Sequence, residues 1–217
     1  MTQIRLLLVD DHQMLRGGLR ALIESEEDMI VVAEAGTAQE GIRQAAESQP
    51  DIVIMDLGLP DGSGLDAIRK IRRLNLPVHI IVLSMHSGQE LVLEAIHAGC
   101  DGYVPKSTAH TDLLQAIRSV HQGKRYLHPE AATIVIDKLL EKQANAQLLE
   151  NLSEREQEVL RWCAMGFTSR EIGEQLSLSP KTVDTYRTRA MEKLKIEHRS
   201  QIVQFALRAG LLDKTVQ

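Results

Sequence analysis

Five side chains of this 217-residue sequence have the types that move a phosphoryl group: Asp10, Asp11, Asp56, Ser84 and Lys106. Three carboxylates brought together repel one another unless a cation joins them. An all-oxygen set of this kind suits a hard divalent ion, Mg²⁺ or Mn²⁺, that keeps water and phosphate as its other ligands. A hydroxyl at Ser84 can donate to one phosphoryl oxygen while the Lys106 ammonium neutralises others, and Asp56 is then the nucleophile. Each residue alone has a plainer reading: Asp56 capping a turn, Asp10 or Asp11 capping a helix, a turn hydroxyl, a solvated lysine. What overrides those readings is position, because each of the five lies where an apolar run stops.

The runs themselves are short, β-branched and without alternation, the pattern of strands buried on both faces of a parallel sheet. Residues 4–9 end at Asp10, 52–55 at Asp56, 78–83 at Ser84 and 102–104 just before Pro105-Lys106; residues 29–33 form one more strand. Helical spacing fills the intervals. Met14, Leu15, Leu19, Leu22 and Ile23 share a face, as do Leu65, Ile68, Ile71 and Leu74, with further helices over about 37–48, 88–98 and 112–121. Five strand-helix units imply an α/β domain with a five-stranded, doubly wound parallel sheet and right-handed crossovers. Function in such sheets gathers at the carboxyl ends of the strands, so one closure of the fold brings all five side chains to the same rim.

Residues 1–123 make up this domain, and residues 124–147 read as a Gln/Asn/Ala/Lys/Glu-rich linker with a helix over about 129–142. From 148 to 217 the pattern is helical throughout. Ser153-Glu154-Arg155-Glu156 and Thr168-Ser169-Arg170-Glu171 are capping boxes, Gly166 ends the first helix, Ser179-Pro180 starts the third, and Ser200 caps a fourth. Four short helices with a tight turn, Ser177-Leu178-Ser179, between the middle two suit a helix-turn-helix module.

Charge is unevenly shared. The chain carries −5 overall, yet residues 1–147 hold 14 Lys/Arg against 20 Asp/Glu, while 148–217 hold 11 against 10. Between 179 and 199 there are six basic residues and three acidic ones, a local excess able to meet phosphates. On the helix after Pro180, Val183, Tyr186, Ala190 and Leu194 share the inward face. Lys181, Thr182, Asp184, Thr185, Arg187, Thr188, Arg189 and Lys193, with Ser169 and Arg170 on the helix before, are the candidate DNA contacts. Arg and Lys there position the module on phosphates, and Thr touches base edges or thymine methyls. No apolar stretch reaches membrane-spanning length and the first residues lead directly into a strand, so a cytoplasmic protein without a membrane partner is expected. Cys100 and Cys163 lack metal spacing and read as two small buried thiols.

Taken as a set, Asp10-Asp11, Asp56, Ser84 and Lys106, with Pro60, Gly64 and Gly102-Tyr103-Val104-Pro105-Lys106, closely resemble the receiver domain of two-component response regulators, a flavodoxin-like fold. The segment from Leu152 to Leu160, with Glu171-Ile172, Leu176 and Ser179 to Val183, resembles a LuxR-type helix-turn-helix, which together point to the NarL/FixJ class. The resemblance implies a histidine kinase as phosphoryl donor. It also implies Asp11, Asp56 and the Gly58 carbonyl as Mg²⁺ ligands, Asp10 acting partly through water, and a switch in which Ser84 moves inward and vacates space for the Tyr103 ring. His12 and His86 flank the site without a nitrogen or cysteine partner and are read as supporting or solvated residues, not ligands. Many LuxR-type modules carry Lys where this chain has Asp184, so base preference does not transfer; an acid there could accept from cytosine.

The expected activity is transcription control on double-stranded DNA, as a homodimer on an inverted repeat, with RNA polymerase a further candidate partner. No enzyme turnover is expected beyond the domain's own phosphorylation and dephosphorylation. The competing class is an Mg²⁺-dependent phosphohydrolase using Asp56 as nucleophile, but no substrate-specificity domain is evident. On the last helix, Ile202, Val203, Phe205, Ala206 and Leu207 exceed one narrow core stripe, so Ile202, Val203, Ala206 and Leu207 are the expected dimer seam.

Overall fold

The computed structural model describes residues 3–85 and 88–212, and it divides into two compact units, Met1–Ile136 and Asp137–Gln217. In the first, β1 (Ile4–Val9), α1 (Gln13–Glu24), β2 (Met29–Ala35), α2 (Ala38–Ser48) and β3 (Ile52–Asp56) lead to a small hairpin, β4 (Gly58–Leu59) and β5 (Gly62–Ser63). Then come α3 (Gly64–Arg73), β6 (His79–Ser84), α4 (Gln89–Ala98), β7 (Gly102–Pro105), a 3-10 turn at Lys106–Thr108, α5 (Ala109–His121) and β8 (Tyr126–Leu127). The main sheet has the order β2-β1-β3-β6-β7-β8, and each neighbouring pair is parallel.

Strand alternation sorts the apolar residues into two cores. Leu7, Val9, Val53, Met55, Ile80, Val82 and Tyr103 join α2, α3 and α4 through Ala45, Ile68, Ile71 and Val92. Their neighbours in sequence, Leu6, Leu8, Ile52, Ile54, Ile81, Leu83 and Val104, join α1 and α5 through Leu19, Ile23, Leu113 and Ile117. Burial on both faces is why these strands read as unbroken apolar runs; each such side chain contributes roughly 1.5–3 kcal/mol relative to exposure. The strand order reverses between β1 and β3, which opens a crevice at their carboxyl ends, where Asp10 and Asp56 stand.

Two boundaries differ from the sequence expectation. The segment expected to have lost strand character begins with β8, a sixth strand of only two residues, whose pairing with Gly102 and Tyr103 defines it. A strand that short has no periodicity to read. The helix expected to stop near residue 142 instead runs as α6 from Pro129 to Glu150. Its polar composition is rich in strong helix formers and lacks Gly and Pro after Pro129, so nothing breaks it. Its start packs in the first unit through Ala131 and Ile134, and its end in the second through Leu148 and Leu149.

The second unit contains α7 (Glu154–Ala164), α8 (Ser169–Leu176), α9 (Pro180–Leu194) and α10 (Arg199–Arg208). Ser153 and Thr168 close reciprocal capping boxes with Glu156 and Glu171, and Ser179 accepts from the Thr182 amide ahead of Pro180. Ser200 does not cap α10. The cap position is His198, and Gln201 Oε1 accepts from the Glu197 and His198 amides instead. The α8–α9 turn is tight: Leu178 N donates to Gly173 O, and a Cβ on Gly173 would lie 2.5 Å from Leu178 O. Backbone cannot yield cheaply at that distance. Gly173→Ala is therefore expected to destabilise this unit by about 1–3 kcal/mol, read as a lowered thermal midpoint of the full chain, and an unchanged midpoint would count against a close-packed turn.

Candidate functional site

At the carboxyl ends of β1, β3 and β7 one ammonium sits between two buried acids. Lys106 Nζ lies 2.6 Å from Asp56 Oδ2 and 2.7 Å from Asp10 Oδ2. Asp10 and Asp56 are 3% and 5% exposed. Burial alone would lower the Lys106 pKa, but the adjacent carboxylates of Asp10 and Asp56 outweigh it, and the pKa is raised, so the cation persists. Asp56 Oδ1 accepts from the Gly58 amide at 3.2 Å, while Asp10 Oδ1 accepts from the His12 amide at 2.8 Å. Neither Asp10 nor Asp11 caps α1, whose cap position is His12.

Asp11 is more exposed and completes the group: one ligand atom from each of Asp10, Asp11, His12 and Asp56 falls within 4.8 Å of the others. Three carboxylates face one ammonium, so a divalent cation would match the surplus charge, and the donors are hard oxygens. Asp10 Oδ2 is also buried without an aligned hydrogen-bond donor despite the nearby Lys106. The residues present therefore fit Mg²⁺ or Mn²⁺. His12 comes closer than the sequence suggests, its Nδ1 lying 2.6 Å from Asp11 Oδ1 and 3.3 Å from Asp10 Oδ1, a placement suited to orienting the acids. His86, the other flanking histidine, lies outside the described residues.

Sequence reasoning missed two supports of this pocket. Arg16 donates to the Asp10 carbonyl while pairing with Glu34 on β2, which fixes the end of β1. Gly64 opens α3 directly against the end of β3, where a Cβ would fall 2.0 Å from the Asp56 carbonyl oxygen. Glycine's presence was visible; the contact that requires it was not. Ser84 and Tyr103 are both buried. They share a hydrogen bond that partly offsets the upward push of burial on the Tyr103 hydroxyl. The ring thus already occupies the interior that the sequence reading reserved for the phosphorylated state.

In the second unit, α9 presents Lys181, Asp184, Thr185, Thr188, Arg189 and Glu192 along one shallow surface groove, with Val183, Ala190 and Leu194 buried opposite. The candidate contacts fall into two sets. Lys181 and Arg189 carry no ion pair among the described residues, and Thr185 Oγ1 donates to the Lys181 carbonyl. Arg170 pairs with Glu174 at the surface, and Thr182 hydrogen-bonds Ser179 at the helix start. By contrast, Ser169, Asp184 and Arg187 are bonded to one another. Lys193 reaches Glu156 Oε2 at 2.7 Å and the Asn151 carbonyl at 3.3 Å. On α10, Ile202 and Ala206 are fully buried in the unit's own core, leaving Val203 37% and Leu207 64% exposed. Both cysteines are buried, and burial pushes the Cys100 thiol up to about 12.

Comparison with known proteins agrees with this division. Residues 6–118 match the response regulator receiver domain family, and residues 150–206 match the luxR family of bacterial regulatory proteins. The chain is similar to the response regulator UvrY of Escherichia coli K12, 36% identical over 97% of this chain and 96% of that protein. It is also similar to the transcriptional regulatory protein LiaR of Bacillus subtilis, 37% identical over 97% of this chain and all of that one, 100%. Among solved structures, the complex of the response regulator RcsB with DNA covers 95% of this chain and 99% of its own, at 27% identity and a TM-score of 0.59.

The Lys193–Glu156 pair yields a test. Glu156 is buried, which by itself would raise its pKa, but Lys193 and the Ser153 amide hold the pKa below its ordinary 4.5. A depressed carboxylate contributes stability above its unfolded pKa and loses it as pH falls through the folded one, so the pair's contribution fades below about pH 4.5. Lys193→Ala should cost about 2 kcal/mol at neutral pH, and its stability should fall less steeply between neutral pH and pH 3 than that of the wild type. Parallel pH profiles in denaturant unfolding would show that the ammonium is not engaged with Glu156.

Proposed function

This chain belongs to the response regulators that join a receiver domain to a LuxR-family DNA-binding domain and regulate transcription, and from that premise we propose that Asp56 is its phosphoacceptor and α9 its DNA-reading helix. The observation that carries the first half is the buried Lys106 ammonium shared by Asp56 and Asp10.

The proposed donor is a phosphohistidine of a histidine kinase. An Asp56 carboxylate oxygen attacks its phosphorus, the new O–P bond forms as the P–N bond breaks, and the imidazole leaves with the electron pair. Lys106 supplies a fixed positive charge beside the oxygens that gain negative charge, and Ser84 supplies a hydroxyl donor. Asp10, Asp11, Asp56 and the Gly58 carbonyl are the residues that would hold Mg²⁺ or Mn²⁺, which when bound supplies further positive charge to the phosphoryl oxygens. Tyr103, packed against Ser84, registers the change as the other half of the switch. We assign the output to an inverted repeat read by two copies, with the exposed Val203 and Leu207 of α10 as the seam and RNA polymerase as a further partner. A cytoplasmic setting suits that task, and no helix among the described residues is long and apolar enough to cross a membrane.

Acetyl phosphate with Mg²⁺ should add one phosphoryl group to the wild type and none to Asp56→Asn. Equal labelling of the variant, mapped by mass spectrometry to another side chain, would sink the assignment. On DNA, Arg189→Ala should lower the slope of log affinity against log salt by about one unit. Thr185→Ala and Thr188→Ala should narrow the preference for a selected operator over mixed-sequence duplex. If fluorescence anisotropy finds all three variants unchanged, α9 is not the reading helix.

A further inference from the structure

One acid stands on a face that must meet a polyanion. Asp184 lies among the outward residues of α9 and is half exposed, yet its carboxylate is not idle. Its Oδ1 accepts from the Ser169 hydroxyl at 2.7 Å and lies 2.9 Å from Arg187 Nη2. Arg187 Nη1 donates in turn to that same Ser169 hydroxyl at 3.2 Å. The three groups close a triangle in which Ser169 opens α8 and the other two lie one turn apart on α9. The triangle spans the joint of the helix-turn-helix, and it occupies both terminal nitrogens of the arginine.

From this geometry we infer that Asp184 is a positioning residue for DNA specificity: with Ser169 it holds and neutralises Arg187, keeping that cation from indiscriminate phosphate contact. The inference rests on α9 being the reading helix. An unrestrained arginine here would gain one phosphate contact on any duplex, since phosphate binding is independent of sequence. Held in the triangle, Arg187 adds little to non-specific binding, which falls to Lys181 and Arg189, unpaired among the described residues, while discrimination falls to Thr185 and Thr188. The chain thereby separates the two arginines that sequence spacing treats alike.

The test uses the full chain on two probes, a mixed-sequence 30-base-pair duplex and a duplex selected from a randomised pool by the wild-type protein. Asp184→Ala should raise affinity for the mixed-sequence probe about eightfold at 0.1 M salt, the counter-ion release of roughly one added phosphate contact, and steepen the salt slope by about one unit. Affinity for the selected probe should rise less, so the specificity ratio falls. In an Arg187→Ala background the same substitution should change neither quantity. A full gain in that background would mean that Asp184 acts only by repelling phosphates. A loss confined to one base pair of the selected probe would make it a base reader; either result overturns the proposal. Asp184→Asn, which keeps an acceptor for Ser169 but drops the charge, should give a smaller gain in the same direction even if the alanine variant folds poorly. The Arg189→Ala arm separates the premises: an unchanged slope there removes the reading of α9, whereas a lowered slope with no effect of either Asp184 substitution removes only the triangle's role.

Discussion

The ammonium of Lys106, taken out of water between Asp10 and Asp56, is the interaction on which the first unit depends. Desolvating a lysine costs several kcal/mol, and two carboxylates within hydrogen-bond distance are what offset it. The three participants come from three different strand ends, so the pair of ion contacts can form only when β1, β3 and β7 lie in one sheet at the correct register. Val9 stands opposite Met55, Asp56 opposite Leu83 and Ser84 opposite Pro105, which levels the strand ends to form a common rim. The same arrangement leaves an excess of negative charge beside Asp56. On the proposed reading of Asp56 as phosphoacceptor, such a site would take up positive charge and a phosphoryl group together, because each relieves what the other would aggravate.

The strand that delivers Lys106 also carries Tyr103, and its outer edge is not free. β8 pairs there with Gly102 and Tyr103, and the His128 amide donates to the Tyr103 carbonyl at 3.0 Å. His128 immediately precedes α6. Tyr103 therefore bonds Ser84, at the end of β6, through its hydroxyl, and meets the residue preceding α6 through its backbone.

How much of this was legible follows from the range of each interaction. The five buried strands, their intervening helices and the rim residues were readable because burial on both faces imposes an apolar run, and the chemistry stands at the point where the run ends. Three helix starts were readable because their signals are local: two capping boxes of four residues each, and a serine cap followed by proline. What escaped has partners far apart in sequence. Lys193 looks like a phosphate contact until Glu156, 37 residues away, is found beneath it, and Arg187 looks like its neighbour Arg189 until Ser169 is found 18 residues back. Ile202 and Ala206 were read as surplus because four helices need more than one stripe from the last of them. β8 escaped because two residues carry no period.

Those intramolecular pairs bear on how an acidic chain can bind DNA. Of the four cations on α9, Arg187 and Lys193 are held by partners within the unit, so that if α9 reads DNA as proposed, Lys181 and Arg189 are the ones left to meet phosphates. Two free cations support a salt slope of only roughly two units from this helix, a small electrostatic contribution for a site that must be found among many competing sequences. The held cations serve another purpose, since they fix the angle of α9 against α7 and α8 and so set where Thr185 and Thr188 fall along a groove. A module that gives up phosphate affinity for geometry gains discrimination per copy but not occupancy. On the proposed paired binding, two copies on one duplex would restore the lost affinity by doubling the phosphate contacts while keeping each helix's geometry, and control over pairing would then become control over DNA binding itself.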